Sequence, residues 1–186
     1  MSAALLAMEG VACLRGGRLL FEGLDLALAP GEAVHVIGPN GCGKSSLIRL
    51  AAGLLEPAAG TIARAACALA DERLALDREM PLGKALDFWA PDRSRTSDAL
   101  EAMELDLAAV PVRLLSTGQR QRAKLARVIA SDARLWLLDE PVNGLDARSV
   151  GLLDAAIGTH REAGGAVLAA SHVPLGGKWR RQELAS

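Results

Sequence analysis

Gly38-Pro39-Asn40-Gly41-Cys42-Gly43-Lys44-Ser45 decides the reading of this chain. It fits G-x-x-x-x-G-K-[ST] at every fixed position, and the spacing has a physical reason. The glycines let the backbone curl so that successive N–H groups point at phosphate oxygens. A helix starting near Lys44 adds the partial positive charge of its N-terminus. Lys44 is placed to reach the β- and γ-phosphates of ATP, and the Ser45 hydroxyl to ligate Mg²⁺. Ser46 follows as the next residue of the phosphate-binding set. A chance Gly-rich turn is the plain alternative, and the flanks argue against it. Residues 34–37 are a short apolar run, and residues 46–55 follow a helical pattern that stops at Gly53 and Pro57. Cys42 has two readings: a thiol made oxidisable by inward-facing amides, or a small filler pointing away from phosphate.

Outward from the loop, the chain reads as α/β. Residues 135–138 are continuously apolar and end in Asp139-Glu140, and residues 166–170 are apolar and end in Ser171-His172. Strands apolar on both faces imply a parallel sheet covered by helices. Residues 5–28 alternate less cleanly and predict two short antiparallel strands joined at Arg15-Gly16-Gly17-Arg18. Residues 71–114 are charged, with Leu, Ala and Met at helical spacing in 82–89 and 97–107, and are punctuated by Pro81, Pro91 and Pro111. They predict a helical lobe, about 71–130 with the helical run that follows, inserted into a single domain spanning 1–186. Its linkers are too short for an independent domain.

Asp139, at the tip of its strand, is placed to hold the Mg²⁺ coordination shell. Glu140, one residue on, is placed to accept a proton from an attacking water. An acidic pair after an apolar strand is common. This one gains weight from following the phosphate loop in the right order.

Composition narrows the partners. The chain has 186 residues, 51% hydrophobic, with 21 basic against 22 acidic residues and a net charge of -1, so it has no global attraction to nucleic acid or anionic lipid. Aromatics are 3% and Tyr is absent, which disfavours base stacking as a binding mode. No apolar stretch approaches the roughly 18–20 residues of a membrane span. Residues 1–8 lack a basic flank and predict no signal peptide. Cys13, Cys42 and Cys67 make no metal-ligand spacing and read as reduced thiols of a cytoplasmic protein. His35 and His160 read as structural. Lys178, Arg180 and Arg181 read as a solvated terminus, with contact to lipid headgroups as the alternative.

With Leu115-Ser116-Thr117-Gly118-Gln119-Arg120-Gln121-Arg122, the sequence resembles the ABC-transporter ATPase family, whose hallmark is L-S-x-G-Q. Pro141 and Asn143-Gly144-Leu145-Asp146 look like that family's D-loop, and Ser171-His172 like its switch histidine. The resemblance covers nearly the whole chain. It implies a P-loop NTPase of ABC type, with a parallel-sheet core, a small antiparallel part and the inserted helical lobe. It implies ATP and Mg²⁺ as cofactors and ATP hydrolysis as the activity. It also implies head-to-tail pairing of two ATPase subunits. Ser116, Thr117, Gly118 and Gln119 then face the ATP held on the partner chain, and His172 touches the γ-phosphate. The chain departs from the family twice. Arg15 stands near where an aromatic usually stacks on adenine; a guanidinium can also stack there. No Gln occurs near residues 70–72, where the family's Q-loop glutamine falls. Asp71 is the aligned candidate, read either as a water-mediated Mg²⁺ ligand or as a solvated loop residue.

Within the family, the chain looks most like the ATP-binding subunits of cytochrome c biogenesis exporters. Leu14-Arg15-Gly16-Gly17-Arg18-Leu19-Leu20-Phe21, the compact length, and Gly164-Gly165-Ala166-Val167-Leu168-Ala169-Ala170-Ser171-His172 carry that likeness. It implies a separate integral membrane permease, docked on the helical lobe, and peripheral location on the cytoplasmic face of the bacterial inner membrane. It implies no nucleic acid partner, and haem as the cargo. Two alternatives stay open: an ABC transporter for another cargo, and a soluble ABC ATPase. The intact set Lys44, Asp139, Glu140 and His172 argues against a non-catalytic scaffold.

Overall fold

The computed structural model describes residues 3–184. Strands β1 (Leu6–Arg15) and β2 (Arg18–Leu28) form the expected hairpin, with Arg15 opposite Arg18. Gly16 and Gly17 close it at φ 56° and 79°. Positive φ at both central residues matches the twist of the flanking strands, and Gly adopts it at little cost. The strands run to 10 and 11 residues, longer than the sequence suggested. A third strand, β4 (Ala59–Arg64), pairs with β1, giving an antiparallel sheet in the order β2-β1-β4.

The second sheet is wholly parallel, in the order β5-β6-β7-β3-β8. Its strands are β3 (Ala33–Ile37), β5 (Cys67–Ala70), β6 (Leu135–Asp139), β7 (Ala166–Ala170) and β8 (Arg180–Glu183). Strand β8 corrects the reading of the basic tail. Arg180 and Arg181 pair through their backbones with Val34 and His35 along the edge of β3, rather than trailing free, while their side chains stay exposed to solvent as expected.

Side chains alternate across the parallel sheet and feed two cores. Val34, Val36, Leu135, Leu137 and Leu168 face helix α1 (Lys44–Ala51) and the antiparallel sheet, where they meet Leu47, Ile48, Leu6, Met8 and Leu28. Trp136, Leu138, Val167 and Ala169 face the other way, onto α4 (Thr117–Ala130) and α5 (Ala147–Glu162). Both faces are covered, which is why these strands read as unbroken apolar runs. Leu47 is fully buried between the sheets. Truncating such a side chain to Ala costs about 2–5 kcal/mol, so α1 is firmly seated under the loop it carries.

Between β5 and β6 come α2 (Leu82–Asp87), α3 (Arg93–Ala102), a 3₁₀ turn at Val112–Leu114, and α4. Asp92 caps α3, accepting from the N–H groups of Ser94 and Arg95, so the helix starts four residues earlier than the apolar pattern suggested. Leu82, Leu86, Ala99, Met103 and Val112 are buried in the same core as Trp136 and Leu138. The helical insertion is thereby packed onto the sheet.

Candidate functional site

In the order β6-β7-β3, the carboxyl ends of three neighbouring strands come side by side. They deliver the loop after Ile37, the pair Asp139-Glu140, and Ser171-His172 to one edge, the position where open α/β sheets bind ligands. Residues 38–41 of the loop are exposed, while Cys42, Gly43 and Lys44 are buried. Gly38 and Gly43 have φ of 154° and 108°. A Cβ at Gly38 would sit 2.7 Å from both Cys42 Sγ and the Leu184 carbonyl oxygen, so the loop backbone needs the bare glycine. The Cys42 side chain belongs to the α1 core, which is the filler reading.

Lys44 folds back over the loop, its ammonium donating to the carbonyls of Gly38 at 2.8 Å and Pro39 at 3.0 Å. The start of α1 has no side-chain cap, whereas Asp92, Ser116 and Asp146 cap α3, α4 and α5. The first N–H groups of α1 therefore lack the side-chain acceptor found at those three helix ends, and an anion can supply it.

Ser45 Oγ donates to Asp139 Oδ1 at 2.9 Å, joining the helix start to the strand tip. Burial pushes the Asp139 carboxyl up from its usual range; the Ser45 hydrogen bond opposes this, while the charges of Glu140 and Asp71 add to it. The site is thus a partly buried hydroxyl–carboxylate pair with further acidic charge nearby. That donor set suits Mg²⁺, which takes hard oxygens and is usually held by one or two carboxylates plus substrate phosphates. Among the described residues no group of three or more His, Cys, Asp or Glu forms an all-protein metal cage.

Glu140 lies in the left-handed region at φ 50°, and its N–H donates to the Ala170 carbonyl at 2.8 Å. That bend turns its carboxylate toward His172, whose Nδ1 donates to Glu140 Oε2 at 2.8 Å. The acceptor fixes the proton on Nδ1 and leaves His172 Nε2 free for another partner. Downstream, the Leu145 N–H donates to the Val142 carbonyl at 3.1 Å, and Asp146 caps α5 by accepting from the Ser149 N–H at 2.8 Å. The Ser149 side-chain hydrogen bond also holds the Asp146 carboxyl below its usual range.

At α4, Ser116 and Gln119 form a reciprocal capping box, with Ser116 Oγ accepting at 3.2 Å and Gln119 Oε1 accepting from the Ser116 N–H at 2.8 Å. Ser116 and Thr117 are exposed, and a Cβ built on Gly118 meets nothing within 4 Å. This helix start is open to solvent.

The remaining expectations separate. Arg15 is exposed at the hairpin tip. Leu20 and Phe21 pack over Gly43, so the hairpin lies against the phosphate loop. Asp71 is not a solvated loop residue: it is 8% exposed, at the carboxyl end of β5 beside Asp139's strand. Its Oδ1 accepts from the Arg73 N–H at 2.9 Å.

Two cations missed by sequence reasoning lie beneath it. Lys124 Nζ donates to the Asp71 carbonyl at 2.6 Å, and Arg127 donates to the Leu69 carbonyl with its guanidinium 4.6 Å from the centre of the Trp89 ring. Burial pushes both cations' pKa values down. The only sequence signal was their place on the buried stripe of α4, where charged residues are normally expected to point outward.

A family model described as ABC transporter matches residues 21–143. The cytochrome c biogenesis ATP-binding export protein CcmA of Sphingopyxis alaskensis is 60% identical over 177 residues, covering 92% of this chain and 91% of that protein. The protein of the same name from Novosphingobium aromaticivorans is 57% identical over 167 residues, covering 89% and 87%. Among solved structures, a putative ABC transporter ATP-binding protein from Pyrococcus furiosus superposes with a TM-score of 0.84, covering 96% of each chain, at 22% identity. That last likeness speaks for the fold alone. Given the matched model and these relatives, the chain belongs to the ABC transporter family as an ATP-binding and ATP-hydrolysing subunit.

Proposed function

We propose that this chain powers cytochrome c biogenesis as the ATPase of an export complex. Two copies pair head to tail, so that Ser116, Thr117, Gly118 and Gln119 of one copy face the γ-phosphate held by residues 38–46 of the other. An integral membrane permease docks on the helices inserted between β5 and β6, the helical sub-lobe of a single ATPase domain. This places the complex at the cytoplasmic face of the inner membrane, and haem is the candidate cargo. The observation that carries the reading is the 60% identity over 92% of the chain to a CcmA protein.

Lys44, the loop amides and α1 neutralise the triphosphate, and Arg15 stacks on the adenine. Ser45 and Asp139, with Asp71 as a water-mediated ligand, would hold Mg²⁺, which would supply neutralisation of the phosphate charge when bound. Glu140 accepts the proton of the attacking water. His172, oriented through Nδ1 by Glu140, presents Nε2 to the γ-phosphate, and Asp146 sets the turn that carries the dimer contact. Lys44→Ala is expected to abolish ATP hydrolysis and c-type cytochrome assembly in the cell. Normal cytochromes in a strain carrying only that variant would remove the pathway assignment while leaving the ATPase reading intact.

A further inference from the structure

His35 lies in the middle of β3, three residues ahead of the phosphate loop, and is 8% exposed. Its neighbours Val34 and Val36 point into the α1 core, so its ring leaves the sheet on the opposite face. There His35 Nε2 donates to the Ser171 carbonyl at 3.0 Å. Ser171 is one residue past the end of the β7 ladder and directly precedes His172. The ring also meets Trp179 edge-on, with centroids 6.1 Å apart. An open groove of about 380 Å³ beside the turn is lined in part by His35, His172, Pro174 and Trp179.

The Ser171–His172 turn is therefore held by polar contacts from two sides. Glu140 takes His172 Nδ1, and His35 takes the Ser171 carbonyl. We infer that His35 is a positioning residue, which ties the strand carrying the phosphate loop to the turn carrying His172 and keeps His172 Nε2 aimed at the terminal phosphate. The inference rests on the role of His172 proposed above. A hydrogen bond of this kind acts on kcat rather than on nucleotide affinity, because the phosphate loop itself is unchanged. Loss of orientation at one remove from the chemistry is expected to slow turnover by about tenfold, the equivalent of one neutral hydrogen bond.

The test uses the full chain with Mg·ATP, measuring kcat, KM and thermal midpoint for four single variants and one double variant. His35→Leu is expected to lose about tenfold in kcat, with KM within about twofold of the parent. In His35→Gln the amide nitrogen lies near the place of Nε2 and should restore most of the loss. In His35→Asn the amide is too short to reach Ser171 and should not. If His35→Leu does not fold, the Gln–Asn comparison carries the test. In the His172→Ala background, His35→Leu should cost nothing further, because the group it orients is gone. Turnover unchanged in both His35→Leu and His35→Asn, or a cost that adds to that of His172→Ala, would overturn the inference. If His172→Ala itself keeps full turnover, the role of His172 fails first and the inference fails with it.

Discussion

Glu140 combines a backbone cost with a proposed chemical role at the same residue, and two substitutions separate them. Its φ of 50° places a side chain in the left-handed region, where a residue with a Cβ is destabilised by about 1–2 kcal/mol. Glu140→Gly removes that cost. It also loses the contact with His172, which is 56% exposed and so contributes about 0–1 kcal/mol. The added chain freedom of Gly opposes folding by about 0.5–1 kcal/mol. The three nearly cancel, and Glu140→Gly is expected to lie within about 1 kcal/mol of the parent. Glu140→Gln keeps both the strain and a hydrogen-bonding side chain, so its stability should also be near the parent's.

Both variants lose the carboxylate proposed to accept the proton, and kcat should fall by about 10²–10⁴ in each, with ATP still bound. Urea unfolding and a phosphate-release assay on the same preparations read the two effects independently. Turnover retained in Glu140→Gln would refute the role of Glu140. A loss of more than about 2 kcal/mol in Glu140→Gly would refute the strain argument.

Three other expectations follow from the buried charges. Burial pushes the pKa of Asp139 up, above its unfolded value, so the ionised carboxylate weakens the nucleotide-free fold at neutral pH; Asp139→Asn should raise the thermal midpoint there yet lose most of the further rise that Mg·ATP gives the parent. His160 stacks on Trp136 at 3.8 Å, and burial pushes its pKa down, so the folded state favours the neutral ring; stability should therefore fall as pH drops through about 6.5 and below, and His160→Phe should flatten that part of the pH–stability curve. Lys124→Met removes the donor to the Asp71 carbonyl and should cost about 1–3 kcal/mol, read by urea unfolding.

What the residues revealed beforehand depended on whether local pattern or distant pairing created the structure. The phosphate loop, β3, α1, β6, β7 and the hairpin at Gly16-Gly17 were legible because their signals are contiguous. Strand β4 was not: Ala59–Arg64 is largely exposed and becomes a strand by pairing with β1. Strand β8, Arg-Arg-Gln-Glu, has no apolar residue and is made by the edge of β3. Lys44, Asp139 and Glu140 were read as candidates from order and spacing and His172 from the family resemblance, and the strand order brings all four to one edge of the sheet. The contacts of Lys124, Arg127 and His35 were not legible, because each side chain bonds a carbonyl more than 50 residues away in the chain. Asp71 was placed by alignment, yet its burial depends on α4 folding over it.

The central claim is that two copies of this chain close over nucleotide, with Ser116 of one completing the phosphate site of the other. A crystal structure of Glu140→Gln with Mg·ATP tests it most directly. The expected result is a two-fold dimer with the terminal phosphates inside residues 38–45, Mg²⁺ on Ser45, and the partner's signature segment on the γ-phosphate. A nucleotide-loaded chain whose residues 116–119 face solvent, or a loop 38–45 left empty at saturating Mg·ATP, would contradict it.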